Sequence, residues 1–151
     1  MQYFLGCLEE FQQILDAGEV LPKYDDTCSG KEFIDLFCAG KISLGDIILQ
    51  VLLNGAQLFR DKVSDCWIYI FIIHNLSLKL RYRKSFVIPG GFIPGKPELL
   101  KSFLFPRLYH ISALQREGFK YFDAFCKLVV TDSRLILALV TADGPGMSAI
   151  A

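Results

Sequence analysis

The sequence predicts a chain of the α/β (α+β) class, with a mixed sheet in β-β-β-α-β order preceded by short helices. Three observations carry this. Apolar runs of strand length recur at residues 47–53, 66–73 and 135–141. One longer stretch instead repeats its apolar residues at helical spacing, through Leu100, Leu104, Leu108, Ile111 and Leu114. The chain of 151 residues is 52% hydrophobic with 13 Phe and only 21% charged, enough apolar surface to build one real core and to exclude a disordered chain.

In chain order, Phe4, Leu8, Phe11 and Leu15 share one helix face, and Gly18 suits its end. Residues 22–27 form a polar connector. Ser29-Gly30-Lys31-Glu32 has the form of a capping box, opening a short helix through Phe33, Ile34, Leu36 and Phe37 that stops before Gly40. From Asp46 the period changes. Ile47-Ile48-Leu49-Gln50-Val51-Leu52-Leu53 is a first strand bounded by Gly45 and Asn54-Gly55. Residues 66–73 form a second, whose continuous apolarity predicts burial on both faces. Ser85-Phe86-Val87-Ile88 is a third, running into the Pro/Gly-rich residues 89–97. In the helix that follows, Pro106 removes a backbone donor and predicts a kink or restart. Gly118 ends that helix, residues 119–122 and 128–130 pattern as a short hairpin, and residues 135–141 form the last strand. The N-terminal helical segment is taken as residues 1–44 and the sheet-bearing domain as residues 45–151.

Composition narrows the function classes. Sixteen basic and sixteen acidic residues cancel, whereas a stand-alone nucleic-acid binder usually carries a basic excess. Cys7, Cys28, Cys38, Cys66 and Cys126 are scattered without a C-x-x-C pair, the pattern of reduced thiols in a nuclear or cytoplasmic protein. Glu9 and Glu10 interrupt the first apolar stretch, which argues against a signal peptide. The longest apolar run falls far short of the roughly 20 residues of a membrane helix, so the expectation is a soluble intracellular chain without a membrane partner.

Four motifs invite chemistry. Gly90-Gly91-Phe92-Ile93-Pro94-Gly95-Lys96-Pro97 satisfies G-x-x-x-x-G-K but puts Pro97 where a phosphate loop needs a hydroxyl. Pro94 and Pro97 also lack the N–H groups that would cradle phosphate, so a rigid turn is expected there and no nucleotide. Asn54-Gly55 between apolar runs is a hairpin-turn signal, and Asp143-Gly144 reads as a turn. Yet a carboxylate such as Asp143, placed where an apolar strand meets a Gly/Pro turn, can reach a metal at a sheet edge. His74 and His110 stand in no triad frame, and each is expected to be satisfied or exposed. Arg81-Tyr82-Arg83-Lys84 is a basic cluster that reads first as a solvated turn and second as a phosphate contact.

Several segments together carry a resemblance. Asn54-Gly55-Ala56-Gln57-Leu58-Phe59-Arg60-Asp61-Lys62, Ser64-Asp65-Cys66-Trp67-Ile68 and Arg81-Tyr82-Arg83-Lys84-Ser85-Phe86-Val87-Ile88-Pro89-Gly90 form one block. Ile93-Pro94-Gly95-Lys96-Pro97, Ser102-Phe103-Leu104-Phe105-Pro106, Ala113-Leu114-Gln115-Arg116-Glu117-Gly118 and Thr141-Ala142-Asp143-Gly144-Pro145-Gly146-Met147 continue it. In this order, from about Cys28 to Met147, the chain resembles the DNA transposases of the CACTA (En/Spm) class, fungal type. The resemblance implies a partial RNase-H-like core with three antiparallel strands, a helix, and a strand parallel to the first. It also implies DNA cleavage by two Mg²⁺ or Mn²⁺ ions held by Asp, Asp and Glu, because hard cations prefer oxygen ligands and a close pair demands dense negative charge.

By position, Asp143 matches the second catalytic aspartate, and Asn54 stands where the family has the first. The amide keeps an oxygen but loses the charge that bridges two cations. The final glutamate and the Cys/His-containing segment of the family would fall beyond Ala151, so the resemblance implies a truncated catalytic core. The leading expectation is a transposase remnant that cuts no DNA and holds no metal tightly. The rival is a non-catalytic module that binds DNA or a full-length transposase. A third, nucleotide-binding reading rests on residues 90–96 alone. A sheet left uncovered by missing helices would also favour self-association.

Overall fold

The computed structural model describes residues 30–57, 65–95, 100–124 and 126–143, together with Gly6, Glu9, Glu10, Gln13, Ile14, Asp16, Ala17, Asp26 and Thr27. Its elements are α1 (Lys31–Cys38), β1 (Ile47–Gln57), β2 (Asp65–Ile73), α2 (Leu78–Arg81), β3 (Ile88–Pro94), α3 (Leu100–Glu117), β4 (Phe119–Asp123), β5 (Leu128–Ser133) and β6 (Leu135–Ala142). The chain is mixed α+β. Four strands form one sheet in the order β3-β2-β1-β6, and β4 and β5 form a separate antiparallel pair. Within the sheet, β1 runs antiparallel to β2, β2 antiparallel to β3, and β6 parallel to β1.

β1 is central, and its alternation assigns each face. Leu49, Val51 and Leu53 join Trp67, Tyr69 and Phe71 of β2, Ile93 of β3, and Leu100, Leu104 and Ile111 of α3 in the main core. Ile48 turns the other way and packs with Phe33 and Ile34 of α1, with Ile42 and with Ile136. The strand is thus covered on both faces, which explains a near-continuous apolar run where a half-exposed strand would alternate. Leu53 is fully buried, and truncating such a side chain to alanine costs about 2–5 kcal/mol.

Five expectations need correction. Asn54-Gly55 is no hairpin turn: β1 continues through it, with Asn54 opposite Ile68 and Gly55 opposite Trp67. Pairing on a long partner strand overrides the local turn preference of the dipeptide. The third strand begins at Ile88, because the Phe86 and Val87 amides are engaged by the Arg83 carbonyl in a turn. α3 runs on through Pro106 as one helix; buried Leu104 and Ile111 fasten it to the sheet on either side of the proline. Its buried stripe is Leu100, Leu104 and Ile111, while Leu108 and Leu114 are exposed. Finally, α1 is capped by the backbone of Gly30 without any side-chain hydrogen bond; Ser29 lies outside the described residues.

Other expectations stand. α1 stops where Gly40 takes a left-handed φ of 68°, the Gly40 amide donating to Phe37 O and the Lys41 amide to Leu36 O, a Schellman closure. Gly118 ends α3 in the same conformation, φ 71°. The expected hairpin is the β4–β5 pair. Glu9, Glu10, Gln13, Ile14 and Asp16 are helical, as a first helix requires, but Phe4, Leu8, Phe11 and Leu15 lie outside the described residues. No helix among the described residues is long and apolar enough to cross a membrane.

The glycines of β3 have a packing role. A Cβ on Gly90 would collide with the Tyr69 ring and lie 2.8 Å from the Tyr69 carbonyl oxygen, and one on Gly91 would lie 3.0 Å from the Tyr69 hydroxyl. The Gly-Gly pair therefore lets a buried tyrosine lie across the neighbouring strand. We expect Gly90→Ala to destabilise the fold by about 1–3 kcal/mol, the usual cost of overpacking, read as a lower midpoint in urea denaturation. An unchanged midpoint would refute the packing role given to Gly90, because the Tyr69 carbonyl as well as its ring would have to move.

Candidate functional site

The two residues that the resemblance singles out sit on neighbouring parallel strands. Asn54 is exposed near the end of β1, and Asp143 follows β6 directly. The rung that joins them is explicit: the Asp143 amide donates to Leu53 O at 3.3 Å, and the Gly55 amide donates to Asp143 Oδ2 at 3.0 Å. A Cβ on Gly55 would lie 3.3 Å from that carboxylate oxygen, so the carboxylate folds closely over the β1 backbone. Both side chains thus belong to the carboxyl-terminal end of two parallel strands, the usual place for ligands in open α/β sheets.

One irregularity decides which face of the sheet Asp143 occupies. Leu49 pairs with Leu137, but Gln50 pairs with Leu139, so Ala138 is an extra residue that forms a bulge. Ahead of it, Leu135 and Leu137 lie against the α3 core, and Ile136 lies on the α1 side. Beyond it the parity is reversed: Ala142 packs against the α3 core, while Thr141 reaches Gln50 on the α1 side. Asp143 therefore falls in line with Thr141 and with Asn54. Without the bulge, strict alternation from Leu135 would put it on the opposite face.

The opposite end of the sheet holds a buried polar network that the sequence did not announce. Asp46 is fully buried and accepts hydrogen bonds from the Ser43 amide, the Arg134 amide and the Arg134 guanidinium, the shortest at 2.7 Å. Burial raises its carboxyl, yet the Arg134 and Ser43 donors outweigh that and hold it below the ordinary range. Asn75 accepts from the Ile48 amide at 2.8 Å and donates to Asp46 O at 2.9 Å. Arg81 has no exposed surface and forms a two-pronged pair with Asp26 at 2.7 Å, while also donating to His74 O and Leu76 O. This corrects the solvated-turn expectation for Arg81. Tyr82, Arg83 and Lys84 are exposed. Asp26 behaves like Asp46: burial raises its carboxyl, and the Arg81 hydrogen bonds and charge bring it below normal.

His74 lies inside this network. Gln50 Nε2 donates to Thr141 Oγ1 at 2.9 Å, so Gln50 presents its oxygen to His74, whose Nε2 donates to it at 2.8 Å. His74 Nδ1 is buried without a hydrogen-bond partner among the described residues. Burial, then the nearby Arg81 charge, push its pKa down to about 4, against a smaller opposing effect of Asp26. His110 is exposed on α3 beside the Tyr109 ring. The phosphate-loop reading of residues 90–96 fares poorly: Gly90 through Pro94 belong to β3, and the glycine pair is explained by Tyr69. Lys96 and Pro97, like residues 144–147, lie outside the described residues.

Among the described residues, no three His, Cys, Asp or Glu side chains come together as a metal-binding group. Asp143 supplies one carboxylate and Asn54 one amide oxygen, a pair suited to a hard cation but short of the charge that two adjacent cations need. No protein-family model, curated protein or solved structure matches the chain.

The His74 environment sets a pH dependence. Its folded pKa lies below the unfolded value of 6.5, so the unfolded chain takes up a proton that the folded chain refuses. The contribution to stability is complete above pH 6.5, declines as pH falls toward 4, and amounts to about 3 kcal/mol over that window. Denaturation midpoints measured across this range should fall with pH in the unaltered protein and fall less in His74→Gln. Parallel curves for the two would refute the assignment.

Proposed function

We propose that this chain is a transposase-type catalytic scaffold of the RNase-H-like kind, related to the CACTA class, in which the amide of Asn54 has replaced the first metal-bridging carboxylate. The observation that carries the reading is the strand order β3-β2-β1-β6 with β6 parallel to β1, and Asp143 closing the rung beside Asn54. That is the arrangement the resemblance implies for a nuclease core: three antiparallel strands, a helix, and a returning parallel strand. The order of the matched segments along the chain and the placement of Asp143 beside the end of β1 both support the reading.

In the intact family, the carboxylates would hold Mg²⁺ or Mn²⁺, and the metals would activate water and stabilise the leaving oxygen of the DNA strand. Here Asp143 would contribute one charged oxygen donor and Asn54 a neutral one. An amide binds a single hard cation weakly and cannot bridge two. The chain is therefore a cleavage-incompetent remnant of such a transposase, of the nucleus or cytoplasm, that takes no nucleotide. A second reading, a non-catalytic module that binds DNA or a full-length transposase, is favoured by the outward face of α3, where Phe105 and Tyr109 are exposed with ring centroids 5.9 Å apart. Single aromatic side chains at a surface are ordinary, whereas adjoining exposed rings form the kind of apolar patch that partners use.

The experiment is a metal titration paired with a nuclease assay on linear DNA. The unaltered protein should cut nothing with Mg²⁺ or Mn²⁺. Asn54→Asp should bind Mn²⁺ about tenfold more tightly or better, since one added charge at a ligand position is worth at least about 1.4 kcal/mol, and should still not cut. Cleavage by the unaltered protein that disappears in Asp143→Asn would overturn the inactive reading. If Asn54→Asp left Mn²⁺ affinity unchanged, the two residues would not form one site.

A further inference from the structure

We infer that two copies of this chain pair through β6, edge to edge and antiparallel, into a closed two-fold dimer with one continuous eight-stranded sheet. The inference is independent of the transposase reading and starts from the two edges of the four-stranded sheet. The β3 edge carries Pro89 and Pro94, and proline on an edge strand blocks the addition of another strand. β6, with the sequence Leu-Ile-Leu-Ala-Leu-Val-Thr-Ala, carries neither proline nor charge. Among the described residues it is hydrogen-bonded to β1 alone. A bare apolar edge strand is a template for another extended strand, because its outward N–H and C=O groups need partners.

The asymmetry of the edges also fixes the occupant. If both edges were open, β3 of one copy would join β6 of the next, and the contact would propagate into a filament. With β3 blocked, the partner for β6 is β6 itself, and an antiparallel self-pair closes after two copies. The absence of charge matters here, since a two-fold axis places like residues near each other and a single lysine would repel its own copy. The bulge at Ala138 leaves Leu139–Ala142 as the regular run nearest the site end, and Val140 there is 43% exposed. Beside this edge lies a largely apolar groove of about 510 Å³ between α1 and β6, lined by Phe33, Leu36, Ile42, Ile136 and Leu139, with Lys31 and Glu32 of α1 also on its wall. Leu36, within this groove, is 39% exposed, so apolar surface adjoins the edge that the second copy would cover.

Light scattering on the eluting full chain should give twice the 17.1 kDa chain mass, dissociating on dilution. Ala138→Lys and Val140→Lys should each raise the dissociation constant about tenfold or more. Phe92→Lys, at a β3 position that is 72% exposed, should leave it unchanged. Circular-dichroism melts establish that the variants are folded. Should both lysine variants unfold, hydrogen exchange on the unaltered protein decides: the amides of residues 139–142 are slow at high concentration and fast on dilution if they form the joint. A monomer at every concentration, an open series of larger species, or a dimer abolished by Phe92→Lys but indifferent to both β6 variants would overturn the inference.

Discussion

The parallel pairing of β6 on β1 is the constraint on which the rest of the molecule depends. No hairpin can set it, because β2, α2, β3, α3, β4 and β5 all intervene between the two strands. Closing so long a loop carries a large entropic cost before any contact repays it. The chain meets that cost with a clamp at the start of both strands. Asp46, one residue ahead of β1, holds the backbone and guanidinium of Arg134, one residue ahead of β6. A salt bridge as buried as Asp46 gains little over an apolar pair of equal volume, but losing one partner leaves a charge stranded in the interior. Its value lies in fixing register.

Register then propagates along the strands to the other end of the sheet. From the clamp, Ile47 pairs with Leu135, the bulge at Ala138 absorbs one residue, and Leu53 pairs with Ala142. The candidate site is the last consequence of this sequence of pairings. Position, face and separation of Asp143 relative to Asn54 are thus set by residues at the far end of both strands, together with one irregularity between them. The polar network around Asn75, His74, Gln50 and Arg81 reinforces the same end, since Asn75 is bonded both to Ile48 and to Asp46. The candidate site and the buried polar clamp thus lie toward opposite ends of the same strands.

How much of this was legible in the sequence follows from which forces write local patterns. The three long strands and the α3 helix left a strong periodicity because each buries a face, and both left-handed glycines at the helix ends mark a backbone need that only glycine meets without strain. What local patterns could not reveal is whatever long-range pairing decides. Asn54-Gly55 has every local mark of a turn, yet a partner on either side holds it extended. Arg81 is written into a basic cluster, but Asp26, more than fifty positions earlier, draws it inside. Gly90 and Gly91 imitate a phosphate loop because a glycine pair serves equally where an aromatic ring crosses a strand. The bulge at Ala138 leaves no mark at all in an uncharged apolar run. The placement of Asp143 against Leu53 and Gly55, beside Asn54, could not be read from spacing, since no local pattern connects residues so far apart.

The bond from the Gly55 amide to Asp143 Oδ2 has a further consequence. That oxygen already leans on a backbone dipole, so an incoming cation would compete with the peptide for it. A cation drawn to Asp143 would therefore act on the last rung of the sheet as well as on the carboxylate.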